Sequence, residues 1–391
     1  MALQTSGQIS LNDIHLELGG STTTQVSLND SDVRALIGKA SGAQNAFNEY
    51  YGAANEVDAV NEGNINGQAN IQQATVSDYI SSGGTLVIPS NFWVWSDSVS
   101  TPALIIDIPC TIKNSGYIVG KGGAGGDYSP TGSFTFSAGE DAGDAIKINS
   151  GVSNVTIINY SGAFIAGGGG GGGASVDNSD PADKGTAGGG GAGGGKGGDG
   201  IGGANSTNQY TGGSGGSING YGSNAGYESN AVYVDFISAG YSGYGGGSGG
   251  GSGGYDSNVQ RRAGGGGGRR LDSSVLGSYT NAHSTFPGKA AGAASDYYGC
   301  TGSHTGGFGG VGVGSVVGGM AAFGGSGGYE GQTAANAAGI SGGGGGWGQA
   351  GGQNTKNNNN KKPGGAAGKA IEDTGNTYTL TNSGTIYGAT T

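Results

Sequence analysis

Four of the five arginines in the sequence, Arg261, Arg262, Arg269 and Arg270, flank the five glycines Gly264–Gly268. A guanidinium is a planar fork of N–H donors that matches phosphate or carboxylate, so this spacing suits recognition of an anion. Aromatic residues stand on either side: Tyr227, Tyr233 and Phe236 before the arginines, Tyr279, Phe286, Tyr297 and Tyr298 after them. Tyrosine set among Ser, Gly and Asn gives large contact area at low entropic cost, the composition of adaptable binding loops. The same rings could also cover the flanks of a scaffold, and the set divides between the two roles. Recognition is the chemistry these residues suit.

Catalytic and metal-binding patterns are weaker. His15, His283 and His304 lack metal-ligand spacing, and His15 reads as structural. Cys110 and Cys300 are far apart and form no disulfide framework. Cys300 shares a region with His283 and His304, but that glycine-rich segment offers little burial to tune a thiol. Gly194–Gly202 matches a calcium-binding nonapeptide, a fold that needs tandem copies, and Gly203–Thr211 contains no Asp. No Gly-Lys-Ser/Thr follows a glycine tract, so there is no phosphate-gripping loop. The expectation is a protein with no cofactor, no metal and no enzymatic activity.

Glycine dominates the composition, 96 of 391 residues, against an ordinary share of roughly 7%. Such a chain buries few side chains while paying roughly 1–2 kcal/mol of backbone entropy per ordered residue. It is therefore either disordered or held by backbone pairing. Of the net charge of −11, −10 sits in the first 160 residues, where fifteen acids face five bases. That balance argues against nucleic-acid binding, which needs a basic stripe. No apolar run reaches the roughly 18 residues of a membrane span, and the N-terminus does not read as a secretory signal.

Four regions follow. Residues 1–52 repeat Ser-Leu-Asn-Asp at Ser10–Asp13 and Ser27–Asp30, each Ser followed three residues later by an acid. That is a helix N-cap signature, and Ile14, Leu16 and Leu18, then Val33, Leu36 and Ile37, follow the two boxes. Two short helices with those apolar faces need each other or a partner, which makes these six residues candidate docking contacts. Residues 53–84 read as a connector with a helix over Ile71–Ile80. Residues 85–166, closed by 369–391, read as a β-rich platform. Its repeat is strand, Asn-Ser-Gly or related turn, strand, at Thr111–Gly120, Thr156–Ala166 and Thr379–Gly388. Because the third copy lies over 200 residues beyond the second, the chain must leave the platform and return.

Residues 167–368 alternate glycine tracts with richer segments. A polyglycine stretch can form the extended threefold left-handed helix, rising about 3.1 Å per residue with no internal hydrogen bonds. Neighbouring helices must then satisfy its amides, which requires glycine because side chains would hold them apart. The fold class expected is mostly β and irregular: a small α N-terminal module, a short β platform and a bundle of polyglycine II helices with long loops.

Thr111–Gly126, Asn159–Gly173 and the alternating tracts resemble the glycine-rich receptor-recognition adhesins at the tail-fibre tips of T-even-type phages. Ser6–Gly52, with Phe47-Asn48-Glu49-Tyr50-Tyr51-Gly52, is similar to N-terminal modules of other phage tail proteins. The first resemblance implies a virion protein, assembled in the host cytoplasm, whose loops between tracts touch a bacterial outer-surface receptor, protein or glycan. The second implies docking to other tail, fibre or baseplate proteins. A purely structural virion component remains an alternative, and an ice-binding glycine-helix protein a lesser one. The oligomeric state stays open.

Overall fold

The structure is a computed structural model describing residues 3–18, 20–37, 39–40, 42–52, 56–129, 135–177, 185–201, 209–218, 255–256, 339–340, 344–352 and 359–391. The N-terminal module holds α1 (Leu11–Glu17) and α2 (Ser31–Ala35). Ser10 caps α1 in a reciprocal capping box, its Oγ accepting from the Asp13 N–H at 3.1 Å while the Ser10 N–H donates to the Asp13 carboxylate at 2.8 Å. The Ser10 hydroxyl, donating to the same carboxylate at 2.7 Å, and then the Ser10 N–H hold the Asp13 carboxyl below its ordinary value. The second box behaves differently. Asp30 is the N-cap of a helix only five residues long, and its carboxylate accepts from the Ser27 N–H at 2.8 Å. Leu3, Ile14, Val33 and Tyr50 are the buried core of the module. Asn45 locks Tyr50 in place, donating to its hydroxyl at 2.9 Å and to the Leu28 carbonyl at 2.7 Å.

Residues 56–391 begin with a parallel β-solenoid. Its first turn is β1 (Glu56–Asp58), β2 (Gly63–Ile65), β3 (Gln68–Gln72) and β4 (Ala74–Thr75). The second is β5 (Thr85–Ile88), β6 (Trp93–Trp95) and β7 (Leu104–Ile106). The third starts with β8 (Thr111–Asn114) and β9 (Tyr117–Val119), leaves the solenoid through the small strands β10 (Tyr128–Ser129) and β11 (Thr135–Phe136), and returns as β12 (Ile146–Ile148). The fourth is β13 (Val155–Asn159) and β14 (Phe164–Ala166). The chain then departs through β15 (Ser175–Asp177), β16 (Gly185–Thr186), β17 (Gly200–Ile201), β18 (Gln209–Tyr210), β19 (Tyr255–Asp256), β20 (Gly339–Ile340) and β21 (Asn359–Lys361). It returns as β22 (Ile371–Glu372), and β23 (Tyr378–Asn382) and β24 (Thr385–Tyr387) form a last turn. Three stacked sheets result, β1-β5-β8-β13-β23, β2-β3-β6-β9-β14-β24 and β22-β12-β7-β4.

The alternation Thr-Ile-Lys-Asn and its relatives dictates this stacking. Leu86, Ile112, Ile157 and Leu380 fall in register on one sheet, and Ile71, Val94, Ile118, Ile165 and Ile386 on the next. These aliphatic ladders fill the interior, each fully buried side chain worth about 1.5–3 kcal/mol. The three sequence copies pair residue for residue, as expected of stacked turns, with Thr111 opposite Thr156 and Thr156 opposite Thr379.

The helix expected over Ile71–Ile80 is not formed. Gln73 turns a corner at φ 56°, a left-handed conformation that breaks a helix, and Val76–Asp78 is a single 3₁₀ turn. Residues 56–75, within the stretch read as a connector, pair with the second turn of the solenoid.

Both departures leave by the same corner, after the second sheet and before the third. The tracts are extended, neither helix nor strand, and their bonding repeats every three residues. In the central tract, the N–H groups of Gly168, Gly171 and Ala174 donate to the carbonyls of Gly143, Glu140 and Ser137 at 2.9–3.1 Å. Those of Gly169 and Gly172 go to Ala192 and Gly189, and those of Gly167, Gly170 and Gly173 to Tyr387, Gln349 and Gly352. The carbonyls follow the same rule: Gly168, Gly171 and Ala174 accept from Gly368, Gly365 and Lys362, while Gly169 and Gly172 accept from Gly123 and Gly126. Gly167 and Gly170 accept from Gly348 and Gly345. Beyond Gly167, whose N–H goes to Tyr387 of β24, the tract thus addresses six neighbouring tract segments, three through its donors and three through its acceptors.

At the flanks, carboxylates replace missing neighbours. Asp141 accepts from the Ala366 N–H and Asp144 from the Lys369 N–H, each at 2.6 Å, and Glu140 from the Ala124 N–H at 2.9 Å. The inner face of this assembly rests on the solenoid: Trp93, Trp95, Val119 and Ala166 pack with Ala192, Ile218 and Trp347.

A Cβ at Gly171 would collide with the Ala124 carbonyl. Gly171→Ala is therefore expected to cost about 1–3 kcal/mol or more, read as a fall in the thermal transition, whereas exposed Ser153→Ala leaves it unchanged. Burial raises the Asp144 carboxyl above its ordinary 3.8. Between 3.8 and that raised value the folded protein binds the extra proton, so this group's contribution to stability falls as pH rises through the window and is greatest below it. Asp144→Asn keeps the acceptor for Lys369, so it should remove that slope and raise stability at neutral pH in pH-dependent denaturation.

Candidate recognition face

Ala192 and Trp347 lie against the solenoid's tryptophans, and Ile218 joins them, the Asn66 side chain donating to its carbonyl at 2.8 Å. At this inner end the tracts reverse in tight turns, with Gly193 and Gly194 at φ 95° and 79° and Gly348 at φ 60°. The opposite end is where the small strands gather. β10 joins β11 and β17, β17 joins β18, β15 joins β16 and β21, and β19 joins β20. β20 and β19 also neighbour β16, so the ribbons form one collar.

Alternate connections therefore share an end. Residues 130–134, 178–184, 202–208 and 257–338 each lie between two paired collar strands, and residues 353–358 lie between a tract and β21. The spacing of the tracts dictates this: among the described residues successive tracts run in opposite directions, so every second connection returns to the collar.

Side chains brace the collar from beneath. Tyr128 is buried with Ala174 and Ala187, Phe136 packs against them, and the Lys362 ammonium lies 5.2 Å from the Phe136 ring centroid. Asp127 accepts from the Asp199 N–H at 2.7 Å, and Asp199 accepts from the Gly212 N–H at 2.7 Å while pairing with Lys196 at 2.9 Å. Asp199, the acid of the calcium-like nonapeptide, is thus engaged in holding tracts together. Among the described residues no group of His, Cys, Asp and Glu could hold a metal ion. Cys110 is buried in the solenoid, its thiol pushed up to about 12 by burial and then by Asp107, which makes it a poor nucleophile. His15 bonds Thr24 at 3.2 Å through Nε2.

Tyr227, Tyr233, Phe236, Arg261, Arg262, Arg269, Arg270, Tyr279, Phe286, Tyr297 and Tyr298 all lie outside the described residues, as do His283, Cys300 and His304. Their places along the chain differ. The first three belong to the connection that starts at Ile218, on the solenoid side, whereas the other eight belong to the one between β19 and β20. The short connections at 130–134, 178–184, 202–208 and 353–358 were not singled out by composition. Asn178-Ser179-Asp180-Pro181-Ala182-Asp183-Lys184, a glycine-free break between two tracts, was the available signal.

In the N-terminal module, Ile14 and Val33 are fully buried, and Leu18, Leu36 and Ile37 pack on the same core. Leu16, 45% exposed, is the one of the six candidates left facing solvent, together with Phe47 and Tyr51. The module closes its own core because Leu3 and Tyr50, outside both helices, complete it.

Residues 54–246 match the family described as phage tail fibre adhesin Gp38. No curated protein matches the chain, and no solved structure does. The matched region begins where the helical module ends and takes in the solenoid's first four turns and the first tracts. Over residues 54–246 the chain is thus similar to the Gp38 phage tail fibre adhesins, which supports a phage tail-fibre adhesin.

Proposed function

We propose that the protein is a non-enzymatic adhesin that binds a bacterial outer-surface receptor through the connections carried by the collar. In this reading the tracts are polyglycine II helices. Their three-residue bonding period is the threefold repeat of that helix, and six neighbours are what hexagonal packing gives a central member. The bundle acts as a rigid strut with one end fixed to the solenoid. The observation that carries the proposal is the gathering of β10, β11 and β15–β21 at the end away from Trp93 and Trp95. Recognition residues are best borne on loops that a rigid scaffold positions.

Within that face, Arg261, Arg262, Arg269 and Arg270 supply anion recognition, and Tyr279, Phe286, Tyr297 and Tyr298 supply contact area. Tyr227, Tyr233 and Phe236, whose connection starts at the solenoid side, rank below them. The N-terminal module docks to another tail, fibre or baseplate protein through its exposed Leu16, Phe47 and Tyr51. Nucleic acid and bilayer insertion play no part, and no helix among the described residues is long and apolar enough to cross a membrane.

Adsorption to host cells by phage carrying Arg261→Ala/Arg262→Ala tests the reading, with particle assembly checked separately. A phosphate-bearing receptor predicts a fall of about tenfold or more and weakening with salt. A protein receptor predicts that Tyr297→Ala/Tyr298→Ala does the greater damage. Wild-type adsorption by both double variants would remove this connection from the receptor site.

A further inference from the structure

The corner after the second sheet and before the third is where both excursions leave the solenoid, over residues 120–145 and 167–370. The last turn crosses the same corner directly. Tyr387 ends β24, and Thr390 already bridges Ile371 of β22 in the third sheet. Only Gly388 and Ala389 lie between them.

This short crossing meets the long excursion at three places. Where the chain departs, the Gly167 N–H donates to the Tyr387 carbonyl at 2.9 Å. Where it returns, the Ala389 carbonyl accepts from the Ala370 N–H at 2.8 Å and from the Ile371 N–H at 3.1 Å. Where the bundle reverses at its inner end, Gly348 lies so close that a Cβ on it would collide with the Gly388 backbone. The Gly348 N–H in turn donates to the Gly167 carbonyl at 2.8 Å. Gly388, at φ 110°, is hemmed in as well: a Cβ there would stand 2.9 Å from the Gly368 oxygen and 3.0 Å from the Ala370 nitrogen. Both sides of the crossing are fastened to the solenoid. The Tyr378 hydroxyl donates to the Thr390 carbonyl at 3.1 Å, and the Tyr387 ring stacks on Phe164 with centroids 6.3 Å apart.

We propose that residues 387–390 are a clasp, which joins the departure, inner turn and return of the excursion to the last turn as one cooperative unit. The bundle is then rigid at its base only while the last turn is seated. Opening the clasp frees the amides of Gly167, Ala370 and Ile371 together and removes the contact beneath Gly348. The tracts then lose the common origin that keeps their donors and acceptors in register. Such a unit opens as a whole, because no member keeps its partners once another has left. The inference holds whatever the collar binds.

Site-resolved amide hydrogen exchange on the isolated full chain tests it. In Gly388→Ala, the Gly168–Gly173 amides should exchange about tenfold or more faster, relative to Val155–Asn159 of β13, than in the wild type. Gly348→Ala strikes the same contact from the bundle side and should act alike. Gly162→Ala carries a similar left-handed backbone penalty, at φ 85°, but its Cβ would meet nothing within 4 Å, so it should leave that ratio unchanged. In the wild-type protein under rising denaturant, Gly167, Ala370 and Ile371 should open with one common free energy, a reading that needs no variant to fold. An unchanged ratio in the folded clasp variants, an equal change in Gly162→Ala, or separate opening of the three wild-type amides would overturn the proposal.

Discussion

A glycine tract leaving the solenoid carries an N–H and a C=O at every residue and no side chain with which to satisfy them. Burying even a few of these groups unpaired would cost about 1–3 kcal/mol each. The protein meets this demand by extending the sheet itself. The ladder that joins β9 to β14 runs on without a break, Gly120 donating to Ala166 at 2.9 Å, then Gly123 to Gly169 and Gly126 to Gly172. Tracts that depart from adjacent turns of the solenoid are therefore already at bonding distance. The solenoid sets the spacing, and the tracts inherit it.

Two consequences follow for the architecture. Glycine is required wherever a carbonyl of the next tract lies at the position of a Cβ, as at Gly171 against Ala124 and Gly191 against Gly169. Larger residues are confined to the periphery and the two ends. At the periphery they cap amides, as Asp141, Asp144 and Glu140 do; at the inner end Trp347 and Ile218 seat the assembly on Trp93 and Trp95. At the outer end the collar strands pair the backbone across the point where each connection begins. Sequence variety can then be carried beyond the collar without disturbing the bonding beneath it.

Much of this was legible in the sequence, for physical reasons that can be named. The Thr-Ile-x-Asn alternation with its Asn-Ser-Gly or related turn exposes the period-two strand signal, and its third copy at Thr379 announces the return. Ser10 and Asp13 form the expected capping box because the apolar positions that follow agree with it. Ile71, Ala74, Val76 and Ile80 misled because their spacing also fits a helix; the stack against Val94 and the left-handed turn at Gln73 decide for strands. The second box at Ser27 failed to start its helix there because Asp30 took the cap. The third sheet was missed as a face because β4 and β22 are two residues long, too short for periodicity to register. The collar was invisible for the same reason, since pairs such as Tyr128–Ser129 gain their strand character only from neighbours distant in sequence.

The outward-running tracts are held by their backbone bonding, and amide hydrogen exchange on the isolated native protein reads it directly. Gly168–Gly173 should exchange as slowly as Val155–Asn159 of β13, since both are held by the same cooperative network. Exchange of that tract at the rate of an unstructured glycine peptide, with β13 still protected, would contradict it.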